Sequence, residues 1–335
     1  MNILFTCAGR RTYLLKYFKE QLAGEGLVIA VDMQLSAPAL SVADVKLQVP
    51  SLYSKDYVDV VLDICSKYNV RIVISLNDLE LPILAGYKRR FEEVGVFLLI
   101  SDSKVIDICF DKYKTYQYIT SLGLKSPKTY KSYIEAQQAI ADGSLSFPLV
   151  VKPRWGSGSI GVEFVLDEQE LDATYTYLKK KVKRGLLSQV SEGDDYILIQ
   201  EKIDGKEYGV DIMNDLHCNH WAVSVKQKLA MRAGETDKAI TEDNPEIRNI
   251  CSMLGKDLKH VGNLDCDILE RNGEYYVLEL NPRFGGGFPF SYEAGVNMPG
   301  AILKWLREEE VDPATLFPEY GKMFAKCDYL VELEQ

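Results

Sequence analysis

Short apolar runs alternate with amphipathic helical stripes over the first hundred residues. The runs predict strands at residues 3–7, 27–31, 71–76 and 96–101, and the stripes predict helices at residues 12–22, 57–68 and 79–94. Strands that alternate with helices in this way form parallel sheets with crossover helices. Residues 1–101 are therefore predicted to form a small doubly wound lobe, in which ligands bind beyond the carboxyl ends of the strands.

Two of those predicted strands end in polar residues. Gly9, Arg10 and Arg11 follow the first strand, and Asn77 and Asp78 follow the third. A tight turn into a helix explains Gly9 equally well, and the G-x-G-x-x-G fingerprint of a dinucleotide site is absent from the sequence. The missing fingerprint argues against an oxidoreductase, and we expect the arginines and Asn77 to contact a substrate.

The pattern changes in a middle segment, residues 102–203. Its elements are predicted as a helix, two strands and a helix, at residues 107–122, 147–152, 162–166 and 167–184. The last helix ends in a basic run from Lys179 to Arg184, which suits the negative end of the helix dipole and is interpreted as a solvated helix end.

The final segment, residues 204–335, follows a strand predicted at residues 196–203 and is rich in strands itself. Further strands are predicted at residues 208–213 and 221–231, a helix at residues 247–258, and a hairpin at residues 265–269 and 275–281. The Asn272-Gly273 pair is a typical hairpin turn. The three segments together predict an α/β protein with α+β lobes.

The composition excludes several classes of protein. The 335 residues are 47% hydrophobic and carry a formal net charge of -10, which argues against a non-specific nucleic-acid binder because phosphates need a basic surface. The seven cysteines form no metal-type pair and are expected to be reduced. No apolar stretch approaches a membrane span of about 20 residues. We expect a cytoplasmic protein with small-molecule partners, neither nucleic acid nor membrane, and a homodimer as one assembly to test.

A glycine-rich loop lies between the two strands of the middle segment. Glycine permits the unusual dihedrals with which several backbone N–H groups approach phosphate oxygens, although a plain flexible hairpin has the same composition. It is not a Walker loop, because no G-K-[ST] follows. Lys152 closes the apolar strand before it and needs an anionic partner, unless the ammonium group reaches solvent. The candidate phosphate-binding residues of the loop are Gly156, Ser157, Gly158, Ser159 and Gly161.

The predicted hairpin carries the strongest signal, a concentration of oxygen ligands that suits magnesium bound with a triphosphate. A two-residue turn would pair Glu279 with Cys266 and put both aspartates on the other face. A three-residue turn would pair Glu279 with Asp265 and place Asp267 diagonally beside them. The three-residue turn gathers the acids on one face, so it is the register we predict, with either aspartate as metal ligand. The polar residues of the hairpin are Asp265, Asp267, Glu279, Asn281 and Arg283.

The order of these motifs resembles the ATP-grasp superfamily, in particular single-unit relatives of the carbamoyl-phosphate synthase large subunit and biotin carboxylase. The resemblance covers residues 1 to about 305 and implies an ATP-grasp fold behind a doubly wound pre-ATP-grasp domain. The motifs are Asp111-Lys112, Val151-Lys152-Pro153 with the glycine loop, Gln200-Glu201-Lys202-Ile203 through Glu207, and Glu279-Leu280-Asn281-Pro282-Arg283.

The resemblance also implies a role for each residue. Lys112 and Lys152 would contact ATP phosphates, and residues 156–161 would form the lid loop. Asp267, Glu279 and Asn281 would hold Mg²⁺, or Mn²⁺ in its place. At the lobe hinge, the residues that would meet adenine and ribose are Glu201, Lys202, Ile203 and Glu207. The implied catalytic residues are Lys152 and Arg283. The candidate substrate residues rest on position instead: Arg10, Arg11 and Asn77 follow predicted strands, and residues 232–235, with Arg232, could close the far side of the same pocket.

The resemblance implies an ATP-dependent carboxylate–amine or carboxylate–thiol ligase that forms an acyl phosphate and releases ADP and phosphate. Two alternatives stay open: phosphorylation of bicarbonate or carbamate in the manner of carbamoyl-phosphate synthase, and a nucleotide-binding regulatory protein without turnover. The simultaneous presence of the two lysines, Glu279, Asn281 and Arg283 argues against a regulatory protein, since a decayed site should lose some of them.

Overall fold

A computed structural model describes residues 1–156, 158, 160–184 and 195–333. The described strands form a five-stranded, a four-stranded and a six-stranded sheet. These sheets occupy successive parts of the chain, as the alternation of patterns predicts.

The first sheet is parallel, with strand order β3-β2-β1-β4-β5. Apolar residues point to both of its faces and build two cores, one around Phe5 and Phe18 and the other around Leu4 and Phe91. The predicted doubly wound lobe is confirmed. Its elements are β1 (Asn2–Thr6), α1 (Thr12–Leu22), β2 (Val28–Asp32), β3 (Val45–Gln48), α2 (Tyr57–Lys67), β4 (Val70–Ser75), α3 (Leu81–Ala85), α4 (Lys88–Glu93) and β5 (Phe97–Leu98).

One helix prediction in this lobe is wrong in detail, and one strand was not predicted. The helix predicted over residues 79–94 is split into α3 and α4, because Gly86 and Tyr87 interrupt it and glycine disfavours a helix interior. The short strand β3 was not predicted. It is an edge strand of four residues whose side chains are only half buried or exposed, so its hydrophobic signal is weak.

The second sheet is antiparallel, with order β6-β9-β7-β8, and has a separate core around Leu149, Leu178 and Ile199. The elements of this part of the chain are α5 (Ser103–Phe110), α6 (Lys112–Ser121), β6 (Thr129–Tyr130), α7 (Tyr133–Ala141), β7 (Leu149–Pro153), β8 (Glu163–Val165), α8 (Glu168–Arg184) and β9 (Ile197–Glu201).

The single helix predicted over residues 107–122 is also wrong. Asp111 breaks it, because its extended backbone (φ -94°, ψ 102°) ends α5 and its carboxylate caps α6. The carboxylate accepts hydrogen bonds from the backbone N–H groups of Tyr113 and Lys114 at 3.0 and 3.4 Å. Residues of both helices, including Val105 and Ile119, belong to the core of the third sheet.

The third sheet is antiparallel, with order β14-β13-β10-β11-β12-β15. Apolar side chains such as Val210, Val225 and Cys266 point to one face and pack with α9, so polar side chains are left on the opposite face. Its elements are β10 (Lys206–Asn214), β11 (His220–Arg232), β12 (Glu235–Thr241), α9 (Pro245–Leu258), β13 (Asn263–Arg271), β14 (Glu274–Asn281), α10 (Phe288–Glu293), α11 (Met298–Leu306) and β15 (Met323–Ala325).

The register of the β13–β14 hairpin differs from the prediction. Arg271 pairs with Glu274, so the turn has two residues, and Asn272 and Gly273 both have positive φ (55° and 79°) as a type I′ turn requires. A bulge between Asp267 and Ile268 on one strand and their partners on the other then shifts the register by one residue. Asp267 therefore lies opposite Glu279. The bulge, and not the length of the turn, places the acids on one face of the sheet.

The first lobe and the end of the chain share one hydrophobic core. Phe18 of α1 packs edge-on against Phe284, and Tyr17 stacks on Tyr292 of α10 with ring centroids 3.6 Å apart. The second sheet contributes no residue to this core. In the part of the chain that the structure describes, no helix is long and apolar enough to cross a membrane.

Candidate active site

The polar face of the third sheet is a ladder of charged side chains. Asp265 and Asp267 of β13 lie opposite Asn281 and Glu279 of β14. On the other side of β13, Asp265 pairs with Asp211, and Asp267 pairs with Gly209 of β10. Because side chains on one face recur every second residue, these groups share one face of the sheet. Asp265, Asp267, Glu279 and Asn281 line the cleft, whereas Asp211 is buried against Lys226 and Ser291. Four oxygen-bearing side chains on two strands thus converge as the hairpin motif predicts.

Lys228 of β11 is a site residue that the motifs do not include. Its ammonium group lies 2.7 Å from both the Glu207 and the Asp267 carboxylates. Burial disfavours its charge, but the two carboxylates outweigh this and raise the pKa of Lys228. Burial also raises the pKa of Asp267 to about 7, with Asp265 and Glu207 adding to the rise. The charges of these residues are therefore mutually dependent.

The two predicted phosphate lysines lie on different elements, Lys152 on β7 of the second sheet and Lys112 at the start of α6. Lys112 lies 3.7 Å from Glu279 Oε1 and donates a hydrogen bond to the backbone carbonyl of Gly156. Lys152 is 5% exposed and donates to Gln200 Oε1 at 2.8 Å. Burial lowers the pKa of Lys152 to about 8, and the charge of Lys112 adds to this effect. Both ammonium groups are held near Glu279, where an anion would relieve their repulsion.

A buried ion pair fixes the start of α6 to the glycine-rich loop. Arg154 donates to both carboxylate oxygens of Asp111, at 2.7 and 2.6 Å. Asp111 is 3% exposed and is also the N-cap of α6, so its carboxylate sets the direction in which Lys112 leaves the helix. Asp111 thus holds the start of α6, with Lys112, against Arg154.

Arg283 joins the first lobe to the acidic hairpin. One of its terminal nitrogens lies 2.7 Å from Asp78 and the other 3.0 Å from Asp265. Burial works against its charge, but the two carboxylates outweigh it and raise the pKa of Arg283. Its Nε is buried without a hydrogen-bond partner among the described residues. A permanently charged fork with an unused donor is suited to an oxyanion that enters the cleft.

The hinge residues lie where β9 leads into β10. Glu201 is bound by Arg271 at 3.0 Å, Lys202 pairs with Asp204, and Ile203 is buried. Lys202 lies over the ring of Phe164, 5.7 Å from its centroid, and Phe164 is 61% exposed on the edge strand β8. An exposed aromatic ring beside the hinge offers an apolar surface to a planar base. The sequence motif did not single out Phe164.

The cleft between these parts has a volume of about 290 Å³. It contains Arg11 and Asn77 of the first lobe, Gly158 of the glycine-rich loop, and the polar ladder with Arg283. Gly156 lines an adjoining recess with Lys112, Glu279 and Asn281. Residues predicted for substrate and metal therefore line one cleft, and Lys112 and Gly156 of the predicted phosphate site line the recess beside it.

Not every predicted site residue lies there. Arg10 is solvent-exposed and is not among the residues that line the cleft. Arg232 points away and pairs with Asp237 and Asp328, at 3.0 and 2.6 Å. Gly161 packs against Pro153 at the base of the loop. Ser157 and Ser159 lie outside the described residues.

Two residues of the cleft, Lys228 and Gly209, were not predicted as site residues, because no local sequence pattern marks them. Lys228 follows Lys226 on an alternating strand, and alternation shows only that both share a face. Gly209 sits in a strand interior, which often marks a close approach of other atoms. Asp78 was noted only as a polar strand end, and Glu235 belongs to the stretch 232–235 that was expected to close the substrate pocket. Topology, rather than any local pattern, brings them together.

The donor set fits magnesium held jointly with phosphate. Within the described residues, no group of three or more His, Cys, Asp or Glu side chains is arranged as a metal cage. Glu279 and Asn281 nevertheless lie two residues apart on β14 and both line the cleft, and Asp267 Oδ1 is the oxygen engaged by Lys228. Mg²⁺ typically binds one or two carboxylates and completes its coordination with substrate phosphates and water. The residues present meet that requirement.

Comparison with known proteins agrees with this geometry. The ATP-grasp domain family matches residues 109–287, more than half of the chain, and the chain belongs to that family. The family described as PylC-like, N-terminal domain, matches residues 3–99. These two matches cover the glycine-rich loop, the hinge and the acidic hairpin on one side and the doubly wound lobe on the other.

Among curated proteins, the arginine-specific large chain of carbamoyl phosphate synthase from Bacillus subtilis is 23% identical over 206 residues, which is 57% of this chain but only 18% of that protein. The matched part is thus about a fifth of that relative.

Two biotin carboxylases share the fold. The biotin carboxylase domain of Hydrogenobacter thermophilus 2-oxoglutarate carboxylase, in complex with MgADP, ADP and bicarbonate, has a TM-score of 0.74 and 17% identity, and the match covers 92% of this chain and 70% of that one. Campylobacter jejuni biotin carboxylase, in a β-γ-ATP complex, has a TM-score of 0.75 and 15% identity over 96% of this chain and 74% of that one.

Proposed function

We propose that the protein is an ATP- and Mg²⁺-dependent ligase that activates a carboxylate as an acyl phosphate and transfers the acyl group to an amine. The observation that supports this most directly is that Lys112 and Glu279 line a recess of the cleft that also holds Arg283 and reaches Arg11 in the first lobe. A phosphate-binding end and a separate substrate end in the same cleft are what a two-substrate ligase needs.

In the first step, a carboxylate oxygen attacks the γ-phosphorus, and the bond to the ADP oxygen breaks. Lys112 and Lys152 hold the transferring phosphate, and Arg283 neutralises charge on the acyl oxygen, because its fork is already oriented by Asp78 and Asp265. Magnesium, when bound by Asp267, Glu279 and Asn281, supplies charge neutralisation between the phosphates.

In the second step, the amine attacks the acyl carbon, inorganic phosphate leaves, and the nitrogen loses a proton. Water would hydrolyse the acyl phosphate, so the cleft must close on its substrates. The second sheet has its own core, and Arg154, which follows β7 of that sheet, pairs with Asp111. Movement of that sheet about the hinge at residues 201–206 would exclude water while the first lobe stays in place.

The proposal is tested in two stages. Isothermal titration calorimetry with ATP should show binding that strengthens when Mg²⁺ is present. ADP release should then be measured against mixtures of carboxylates with amines, with thiols, and with bicarbonate. Release that needs both a carboxylate and an amine supports amide formation, and release with bicarbonate alone favours the carbamoyl-phosphate-synthase-like alternative. Mg²⁺-independent ATP affinity, or binding without ADP release from any mixture, would reject a ligase.

A further inference from the structure

The substrate end of the cleft contains an ion pair that the phosphate chemistry does not use. Arg11, at the carboxyl end of β1, lies 3.1 Å from Glu235, the first residue of β12. Both residues line the cleft, and 20% of the Arg11 side chain and 47% of the Glu235 side chain are exposed. The pair is therefore accessible to a small molecule that enters beside Arg283.

The fold holds both partners in place. Ala233 and Gly234 have positive φ values of 50° and 79°, so the tight turn before β12 aims Glu235 toward the first lobe. Arg11 also donates to the Tyr13 hydroxyl at 2.9 Å, which fixes the guanidinium plane. A side chain at Gly286 would lie 3.0 Å from the Arg11 guanidinium, so the glycine leaves the pair uncovered on the cleft side.

Lys326, from the end of the chain beyond β15, binds the second oxygen of Glu235 at 3.0 Å. Burial acts against ionisation of Glu235, but Arg11 and Lys326 outweigh it and lower its pKa. If a ligand replaced Glu235 on Arg11, Lys326 would keep the carboxylate charged and anchored. Glu235 Oε1 would then be an unpaired acceptor that faces the ligand.

The ligand that suits this arrangement must supply two groups. A plain carboxylate could bind Arg11, but it would lie beside the Glu235 oxygen that it displaced, with no donor between the two anions. A plain amine would leave Arg11 without its partner. A molecule with adjacent carboxylate and ammonium groups satisfies both residues and adds no net charge to the cleft.

We propose that Arg11 and Glu235 together form the recognition site for an α-amino acid, or a similar small zwitterion, as one of the two substrates. Arg11 binds its carboxylate, Glu235 Oε1 accepts from its ammonium group, and Lys326 positions Glu235. The role of this site in turnover rests on the proposed ligase function. Binding of an amino acid to Arg11 and Glu235 can be measured without turnover.

The first experiment measures binding by calorimetry in the presence of Mg²⁺ and a non-hydrolysable ATP analogue. The probes are the standard L-amino acids, each with a matched acid that lacks the amine and a matched amine that lacks the carboxylate; for phenylalanine these are 3-phenylpropionate and phenethylamine. At least one amino acid should bind about tenfold more tightly than both of its analogues, a difference of about 1.4 kcal/mol. Equal binding of the matched acid, or no amino acid bound, overturns the proposal. Failure of ADP release with amino-acid binding retained would reject the ligase function alone.

The second experiment compares Glu235→Gln with Glu319→Gln. The control makes the same chemical change in Glu319, which forms an exposed ion pair with Lys322 on the C-terminal stretch that also carries Lys326. Glu235→Gln should weaken amino-acid binding at least about tenfold and leave binding of the matched acid unchanged or stronger, while Glu235→Asp retains part of the affinity. Glu319→Gln should behave as the natural protein. If Glu235→Gln lowers the affinity for the amino acid and the matched acid equally, the pair only joins the lobes and the recognition site is wrong.

Discussion

The Lys228 ammonium group binds the Asp267 carboxylate although their strands are not neighbours. β10 lies between β11 and β13, and the lysine crosses it at Gly209, which faces Asp267 in the register. A Cβ at Gly209 would lie 3.2 Å from Lys228 Cε, which is closer than side-chain carbons normally pack. The absence of a side chain at this one position allows a cation from β11 to reach the acidic β13–β14 hairpin.

Replacing Gly209 with alanine should therefore impair the site more than the fold. The φ of Gly209 is not positive, so alanine is tolerated by the backbone, but the lysine must shift away from Asp267. We expect kcat/KM for ADP release to fall about tenfold, equivalent to about 1.4 kcal/mol, with little change in Tm.

A double-mutant cycle with Lys228→Met checks this explanation. If Gly209→Ala acts through the lysine, adding it to Lys228→Met should cause no further loss. Additive losses would show that the alanine perturbs the cleft by another route.

The pKa of Lys152 predicts a pH dependence of nucleotide binding. Its ammonium group is charged below its pKa of about 8 and becomes neutral as the pH rises through that value. ATP affinity measured by calorimetry should therefore be higher at about pH 7.5 than at about pH 9.5, with a bound phosphate moving the midpoint upward. Lys152→Arg should bind ATP without this step, because guanidinium stays charged throughout the range. If the arginine variant lost the same amount of ATP affinity over this pH range, the titration would belong to a group other than Lys152.

Glu279→Gln should abolish turnover without unfolding the protein. The change keeps the side chain's size but removes the charge that Mg²⁺ requires, so we expect ADP release to fall at least about 100-fold. Glu274→Gln is a suitable control, since Glu274 lies on the same strand and pairs with Lys125 at the surface. ADP production by Glu279→Gln near the natural rate would eliminate Glu279 as a metal ligand.

Asp111→Ala should affect stability and nucleotide affinity together. The substitution removes the cap of α6 and leaves the guanidinium of Arg154 without its carboxylate, and we expect a loss of about 3 kcal/mol in the free energy of unfolding. Chemical denaturation measures the loss, and calorimetry should show weaker ATP binding because Lys112 is no longer fixed. An exposed acidic residue on α5, Asp107, pairs with Lys114, and Asp107→Ala serves as the comparison with a small expected effect. Equal losses in the two variants would contradict the positioning role of Asp111.

The sequence predicted those parts of the structure that depend on local pattern. The ends of α1 match the prediction at both residues, because its apolar stripe is regular and its C-terminus is marked by a polar, glycine-containing stretch. Of the motif residues, Lys112, Glu279, Asn281 and Arg283 line the cleft or its adjoining recess, and their roles toward ATP and Mg²⁺ stay predictions.

The rest depends on contacts between distant segments. The bulge in the β13–β14 hairpin has no marker in the sequence, so the predicted turn was wrong even though the acids do share a face. Asp111 reads as one more polar position on a helix until Arg154, distant in the chain, is placed against it. Arg232 was predicted to reach the substrate, but Asp328 from the terminal stretch draws it outward. Each of these outcomes is decided by a partner that periodicity cannot identify.

The core shared by α1, α10 and α11 has a consequence for cutting the chain. Phe18 and Leu15 of the first lobe pack among residues such as Phe284 and Met298, which are encoded near the other end. A fragment that stops at residue 101 would expose that apolar surface to water, and we expect it to aggregate rather than fold. Any exchange of the first lobe with that of a relative would therefore have to carry α10 and α11 with it.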